Sequence, residues 1–299
     1  MDTANLTPMM RQYYSLKEEN RDCILFFRLG DFYEMFDEDA YTVSRELNLT
    51  LTTRDRNAPE GERTMMCGVP YHSAESYIAR LLARGYKVAV SEQTEDPATT
   101  KGLVAREVTR IITPGTVTDP SMLDDRRPNY IASVYIGGED SIHEGCAVCF
   151  CDVSTGETSV ARFTSGTEHV LNELVRYQPS ELLLNSVAAD DFSVKYYLSK
   201  NERLLFQQDE QLFELEVCRE SCVKQFASQS SDSAMFDPVI LLAAGALLAY
   251  LRDTQKNDLA QISSLSVYTS GQYMELDLQT RRNLELTETI RSGEKRGSL

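Results

Sequence analysis

At 299 residues and 42% apolar content, the chain is long enough for two ordinary domains, each with a core of its own. Its 46 Asp and Glu outnumber 30 Lys and Arg, and the net charge of -16 argues against the broad basic surface that usually supplies affinity for phosphate. Residues 1–112, with 14 Lys and Arg against 18 Asp and Glu, are only the less acidic part, so any nucleic-acid contact must come from local placement.

Thr7 followed by Pro8 predicts an N-cap with proline at the first helical position, opening a helix through about Asn20. The apolar run from Cys23 predicts a strand to Leu29, which leaves through a Gly30-Asp31 turn into Phe32-Tyr-Glu34-Met-Phe36, with a helix expected from about Glu34 to Leu47. Taken for local structure alone, Asp31 is a helix cap, Glu34 completes a capping box, and Phe32 and Phe36 pack inward. A different outcome follows if the backbone stays extended through Phe32–Glu34. Side chains two apart then share a face, whereas in a helix they diverge.

Further along, Leu49–Thr53 alternates as a strand and 54–63 is a polar loop. Ser73 is placed to cap a helix carrying Ile78, Leu81 and Leu82, stopped by Gly85. Strands near 86–93 and 104–112 complete a small mixed α/β unit. Residues 113–126, with two prolines, a glycine and several acids, are expected to be a linker.

Strands Tyr130–Ile136, Cys146–Val153 and Glu157–Phe163 then form a meander, followed by a helix near 167–177 and a strand at Glu181–Leu184. Such an order predicts an RNase H-like α/β layout. The segment 190–227 carries no clear period, and 237–256 is a helix. Its apolar run, Val239–Leu251, is 13 residues, short of the roughly 20 a membrane span needs. Cys146-x-x-Cys149-x-Cys151 alternates as a strand that sends Cys146 and Cys149 to opposite faces, so buried thiols are expected and no metal site. Cys218 and Cys222 share a helix face and are read the same way. Seven cysteines and no signal-peptide pattern point to a reducing, cytoplasmic setting.

Five short stretches then stand together in order: Thr7-Pro-Met-Met-Arg-Gln-Tyr13, the run from Arg28 to Phe36, Gly68-Val-Pro-Tyr-His72, Glu92-Gln-Thr-Glu-Asp-Pro97 and Arg110-Ile-Ile-Thr-Pro-Gly-Thr116. As a set they resemble the N-terminal portion of the MutS family of bacterial DNA mismatch-recognition proteins, from about Thr7 to the end of the chain. The resemblance implies a mismatch-recognition domain over 1–112, a connector domain over 127–256 and, from the likeness of 273–286, the start of a helical core domain over 257–299. The chain would then be the front of a longer protein.

The family's Phe-x-Glu motif falls on Phe32 and Glu34. By resemblance Phe32 is a wedge that enters from the minor groove of mispaired duplex DNA, and Glu34 bonds the displaced base, as an ionised acceptor or as a protonated donor to a purine nitrogen. Arg54 is either a phosphate contact or a solvated loop charge, and Met66 either lies against the kinked groove or fills the core. His72 reads as a turn residue holding Tyr71.

Implied partners are mismatched DNA, a MutL-like repair protein through the connector, and a second copy of the intact protein. ATP and magnesium belong to the family's C-terminal P-loop domain; no Gly-Lys dipeptide occurs in this chain, so neither a cofactor nor an enzymatic activity is expected of it. Two alternatives stand beside this: a pure interaction module docking a partner through 127–256, and an RNase H-like nuclease centred on Asp152. The nuclease would need several converging carboxylates, and 130–136 supplies none.

Overall fold

The first helix begins as its sequence dictates: in the computed structural model the Thr7 side chain accepts the Met10 N–H at 3.3 Å, with Pro8 opening α1 (Pro8–Glu19). The structure describes residues 6–54, 63–95, 102, 104–124, 127–138, 143–164, 166–201, 204–229, 236–268, 280, 283 and 284. Two units emerge, one of residues up to Arg127 with Leu251–Leu259, the other of Pro128–Tyr250 with the residues from Ala260 on.

In the first unit, β1 (Cys23–Leu29) pairs antiparallel with β2 (Phe32–Phe36) and parallel with β5 (Lys87–Gln93). Outside these, β4 (Met65–Pro70) pairs with β2, the short β3 (Thr52–Thr53) with β4, and β6 (Arg106–Ile112) with β5, giving the order β3-β4-β2-β1-β5-β6. Period-two alternation gives this sheet two apolar faces. Ile24, Phe26, Tyr33, Met35, Cys67 and Val69 pack with α2 (Asp37–Leu47) and α3 (Ala74–Leu82) on one side. Leu25, Phe27 and Phe36 pack with Met10 and Tyr13 of α1 on the other.

Four expectations are corrected here. The helix expected from Glu34 starts at Asp37, Phe32–Phe36 is a strand, and the cap position is Phe36, which makes no side-chain cap bond. Long-range partners decide that start: Asp37 is bonded by the Tyr14 hydroxyl, and Asp39 by Tyr13, Lys17 and the Leu25 N–H. The strand expected at 49–53 is only Thr52–Thr53. Ser73 does sit at the N-cap of α3, but its hydroxyl donates to the Pro70 carbonyl at 3.2 Å rather than capping. Of the segment 113–126, read as a linker, residues 113–124 are described; they hold buried Thr113 and Thr116 and send Val117 into the first core, with Met122 and Leu123 packed against it.

The second unit runs β7 (Tyr130–Ile136), β8 (Cys146–Asp152) and β9 (Thr158–Phe163) as an antiparallel meander. After α4 (Thr167–Tyr177) comes β10 (Glu181–Leu184), parallel to β7; then α5 (Ser186–Asp190), α6 (Phe192–Lys200) and β11 (Leu205–Gln208), parallel to β10. With β12 (Ser266–Tyr268) beside β9, the order is β11-β10-β7-β8-β9-β12. A meander followed by parallel crossovers is the RNase H-like layout expected from the element order.

In the stretch that carried no clear period, Asp191 caps α6 by accepting the Ser193 and Val194 N–H groups, and α7 (Leu215–Gln225) follows β11. The apolar run of α8 (Pro238–Gln255) is buried, and among the described residues no helix is long and apolar enough to cross a membrane. The cysteines are buried free thiols, Cys146 facing the α4 side of the sheet with Val148 and Phe150. Among the described residues no group of His, Cys, Asp and Glu has metal-binding geometry. Of the stretch 273–286, read as the opening of a helical core domain, only residues 280, 283 and 284 are described.

Candidate nucleic-acid interface

The site grows out of the β1–β2 hairpin. Leu29 pairs with Phe32, so the loop is only Gly30 and Asp31, and Gly30 takes the positive φ of 58° that a two-residue hairpin turn demands. Because 32–36 is extended, Phe32, Glu34 and Phe36 share one face while Tyr33 and Met35 enter the opposite core. Phe36 is sealed beneath α1, yet Phe32, at the hairpin end of the same row, is 47% exposed. The geometry required for an aromatic and a carboxylate to act together is therefore present.

Across β2, Phe32 pairs with Pro70, Glu34 with Gly68 and Phe36 with Met66. Glu34 is half-buried, and its Oε2 accepts from Arg54 Nη1 at 3.3 Å. Burial pushes its carboxyl above the ordinary range and the Arg54 charge opposes this, with burial the stronger influence. Arg54 Nη1 also lies 3.2 Å from the Met9 sulfur. Phe32, Glu34 and Arg54 thus cluster at one end of the α1 face. Met66 is half-buried against the α1 core, opposite Phe36.

Sequence reasoning missed how the hairpin is braced from behind. The Arg28 guanidinium stacks 3.8 Å from the Tyr71 ring centroid, lies 5.3 Å from that of Tyr33, and pairs with Glu92 at 3.6 Å. Tyr33 bonds the same Glu92 through its hydroxyl, and burial and Glu92 push that phenol up to about 12. The Tyr71 N–H reaches the Asp31 carbonyl at 2.9 Å, which ties the turn itself. All four side chains lie inside the quoted motifs; what the motifs do not reveal is that they meet. His72 is exposed on the turn with its ring edge to Tyr71 at 5.8 Å. Outside the motifs, buried Arg106 donates to the Arg28 carbonyl at 2.6 Å and to Gln12 at 3.1 Å, joining β6 to β1 and α1.

Asp152 closes β8. Its Oδ1 accepts the Ser154 N–H at 2.9 Å and the Ser154 hydroxyl at 2.6 Å, and its Oδ2 accepts the Asn129 N–H at 3.1 Å. Oδ1 shapes the turn before β9 and Oδ2 ties the residue before β7, so both oxygens of Asp152 are engaged within the fold and the nuclease alternative is not favoured.

Comparison with known proteins matches two successive stretches of the chain to two domains of one family. Residues 7–121 match the family model of MutS domain I, and residues 129–263 that of MutS domain II. The DNA mismatch repair protein MutS of Acetivibrio thermocellus is 46% identical over 299 residues, covering 99% of this chain and 33% of that protein. Its counterpart in Ruminiclostridium cellulolyticum is 44% identical with the same coverage, and that of Clostridium tetani is 42% identical over 294 residues, 98% of this chain and 32% of that protein. The chain spans about a third of the length of the curated relatives it matches.

Proposed function

The chain belongs to the MutS family, and from that premise we propose that its first unit reads mispaired or unpaired bases in duplex DNA. Phe32 is the wedge, Glu34 bonds the displaced base, and Arg54 meets a backbone phosphate. Met66, on the same sheet face, supports the groove side of the site. One observation carries the reading: a large aromatic at the end of a strand is exposed beside a half-buried carboxylate on the same face, while the next residue of that row is sealed inside. An aromatic left in water at such a place is suited to stacking on an unstacked base.

Incorporating a photoreactive phenylalanine analogue at position 32 of the intact protein tests this directly. Cross-links are expected at the mispair of a heteroduplex and at background level on homoduplex. Equal yields on the two duplexes would overturn it.

The second unit is assigned to a protein partner, a MutL-like repair protein. Phe192 is 83% exposed and Tyr196, one turn along α6, is 41% exposed, an aromatic pair of the kind that anchors interfaces. In the full-length protein Phe192→Ser is expected to weaken capture of that partner about tenfold with heteroduplex binding kept; undiminished capture would refute the assignment. No catalytic step is assigned to these residues. We further propose that ATP and magnesium use, and pairing with a second copy, belong to parts of the intact protein other than these residues.

A further inference from the structure

Arg54 and Glu34 are unequally placed within their ion pair. The Arg54 side chain is 44% exposed and the Glu34 side chain 17%, so an incoming phosphate can reach the guanidinium while the carboxylate remains sheltered. Glu34's cross-strand neighbours, Phe27 on β1 and Gly68 on β4, carry no charge, and the α1 residue at the pair is Met9, a thioether. Among the described residues Arg54 is thus the one charged group facing Glu34. Gly68 leaves the flank of Glu34 open: a Cβ there would stand 3.5 Å from Glu34 Cγ and 3.2 Å from the Tyr33 carbonyl oxygen.

We infer that Arg54 is a positioning residue that sets the charge state of Glu34: paired in the free protein it holds the carboxylate ionised against the sheet, and a duplex phosphate draws it away, freeing Glu34 to swing past Gly68 and meet the displaced base as the neutral acid. The inference rests on reading Glu34 as the base contact. The proton is taken from solvent. The driving force is the exchange of partners: the guanidinium gains a fully charged phosphate oxygen. The carboxylate loses its cation while already half-desolvated and next to a polyanion, two conditions that favour its neutral form. Once neutral, it is no longer repelled by the backbone and gains a donor hydrogen.

Calorimetry of single-mismatch heteroduplex binding to the full-length protein, in buffers of differing ionisation enthalpy near neutral pH, counts the protons taken up. Wild type is expected to take up protons and Glu34→Gln none. Arg54→Gln is expected to take up fewer protons than wild type, because without the cation burial acts unopposed and holds the Glu34 carboxyl higher before DNA arrives. The low-pH plateau of its heteroduplex-to-homoduplex affinity ratio is then reached at higher pH than in wild type, and Arg54→Lys, which keeps the charge, restores much of the wild-type profile. Wild-type uptake in Arg54→Gln with none in Glu34→Gln would overturn the inference and leave Glu34 as the base reader. Wild-type uptake in Glu34→Gln would overturn it by removing Glu34 from the proton exchange altogether, and unchanged discrimination in that variant would also end the reading of Glu34 as the base contact.

Discussion

Phe32→Ala in the intact protein should reduce the preference for heteroduplex over homoduplex by about five- to 150-fold, the range spanned by about 1–3 kcal/mol of base stacking. Unstacking a base step costs a few kcal/mol in paired DNA and least where pairing is already poor. A stacking ring therefore nearly balances that cost at a pair and exceeds it at a mispair. Removing the ring removes the difference and leaves phosphate contacts, so homoduplex affinity is expected to stay within about twofold. The fold should be indifferent to the change, because Phe32 is half in water, whereas Phe36→Ala empties a site in the α1 core and is expected to cost about 3–5 kcal/mol. Anisotropy titrations on matched duplexes, with melting curves for both variants, separate the two. A preference that survives Phe32→Ala at unchanged stability would remove the wedge from the mechanism.

The contrast between those two phenylalanines also marks where the sequence was and was not legible. The meander β7–β9 and the buried α8 were readable because their apolar patterns are long and unbroken. The stretch 32–36 was ambiguous because Asp31 and Glu34 imitate a capping box. The structure chose a strand through contacts made far along the chain, with Tyr13, Tyr14 and Lys17 of α1 fixing the acids of the first turn of α2. No window of local sequence contains those partners. Segment 113–124 misled in the opposite direction: its prolines and acids resemble an exposed connector, yet Val117 is core and the Thr113 and Thr116 hydroxyls satisfy each other. At the site, the motif located Phe32 and Glu34. The Arg28–Tyr71 stack and the open flank at Gly68 depend on β2–β4 register, and β4 was not among the expected strands.

Asp39→Ala is expected to destabilise the first unit by about 3–5 kcal/mol, the order found when one partner of a buried ion pair is removed. Its carboxylate accepts the Leu25 N–H at 2.9 Å, the Lys17 ammonium at 2.9 Å and the Tyr13 hydroxyl at 3.4 Å, linking α2 to β1 and α1. β2 pairs with β1 only from Phe27 to Leu29, so the buried Leu25 N–H turns to Asp39 for its acceptor. Alanine would orphan that donor, at about 1–3 kcal/mol, and deprive a partly buried ammonium of its counter-charge. Burial nevertheless outweighs these donors and holds the Asp39 carboxyl above its ordinary value, so the carboxylate's role as acceptor matters more than its charge. Asp39→Asn, which keeps an oxygen for Leu25, is accordingly expected to cost less than alanine. Urea unfolding combined with hydrogen exchange at the Leu25 amide measures both variants: exchange there should accelerate in Asp39→Ala before the amides of β7–β9 respond. A loss under about 1 kcal/mol, or equal losses in the two variants, would mean that apolar packing alone sets the start of α2 and, through it, the end of the strand that carries Phe32.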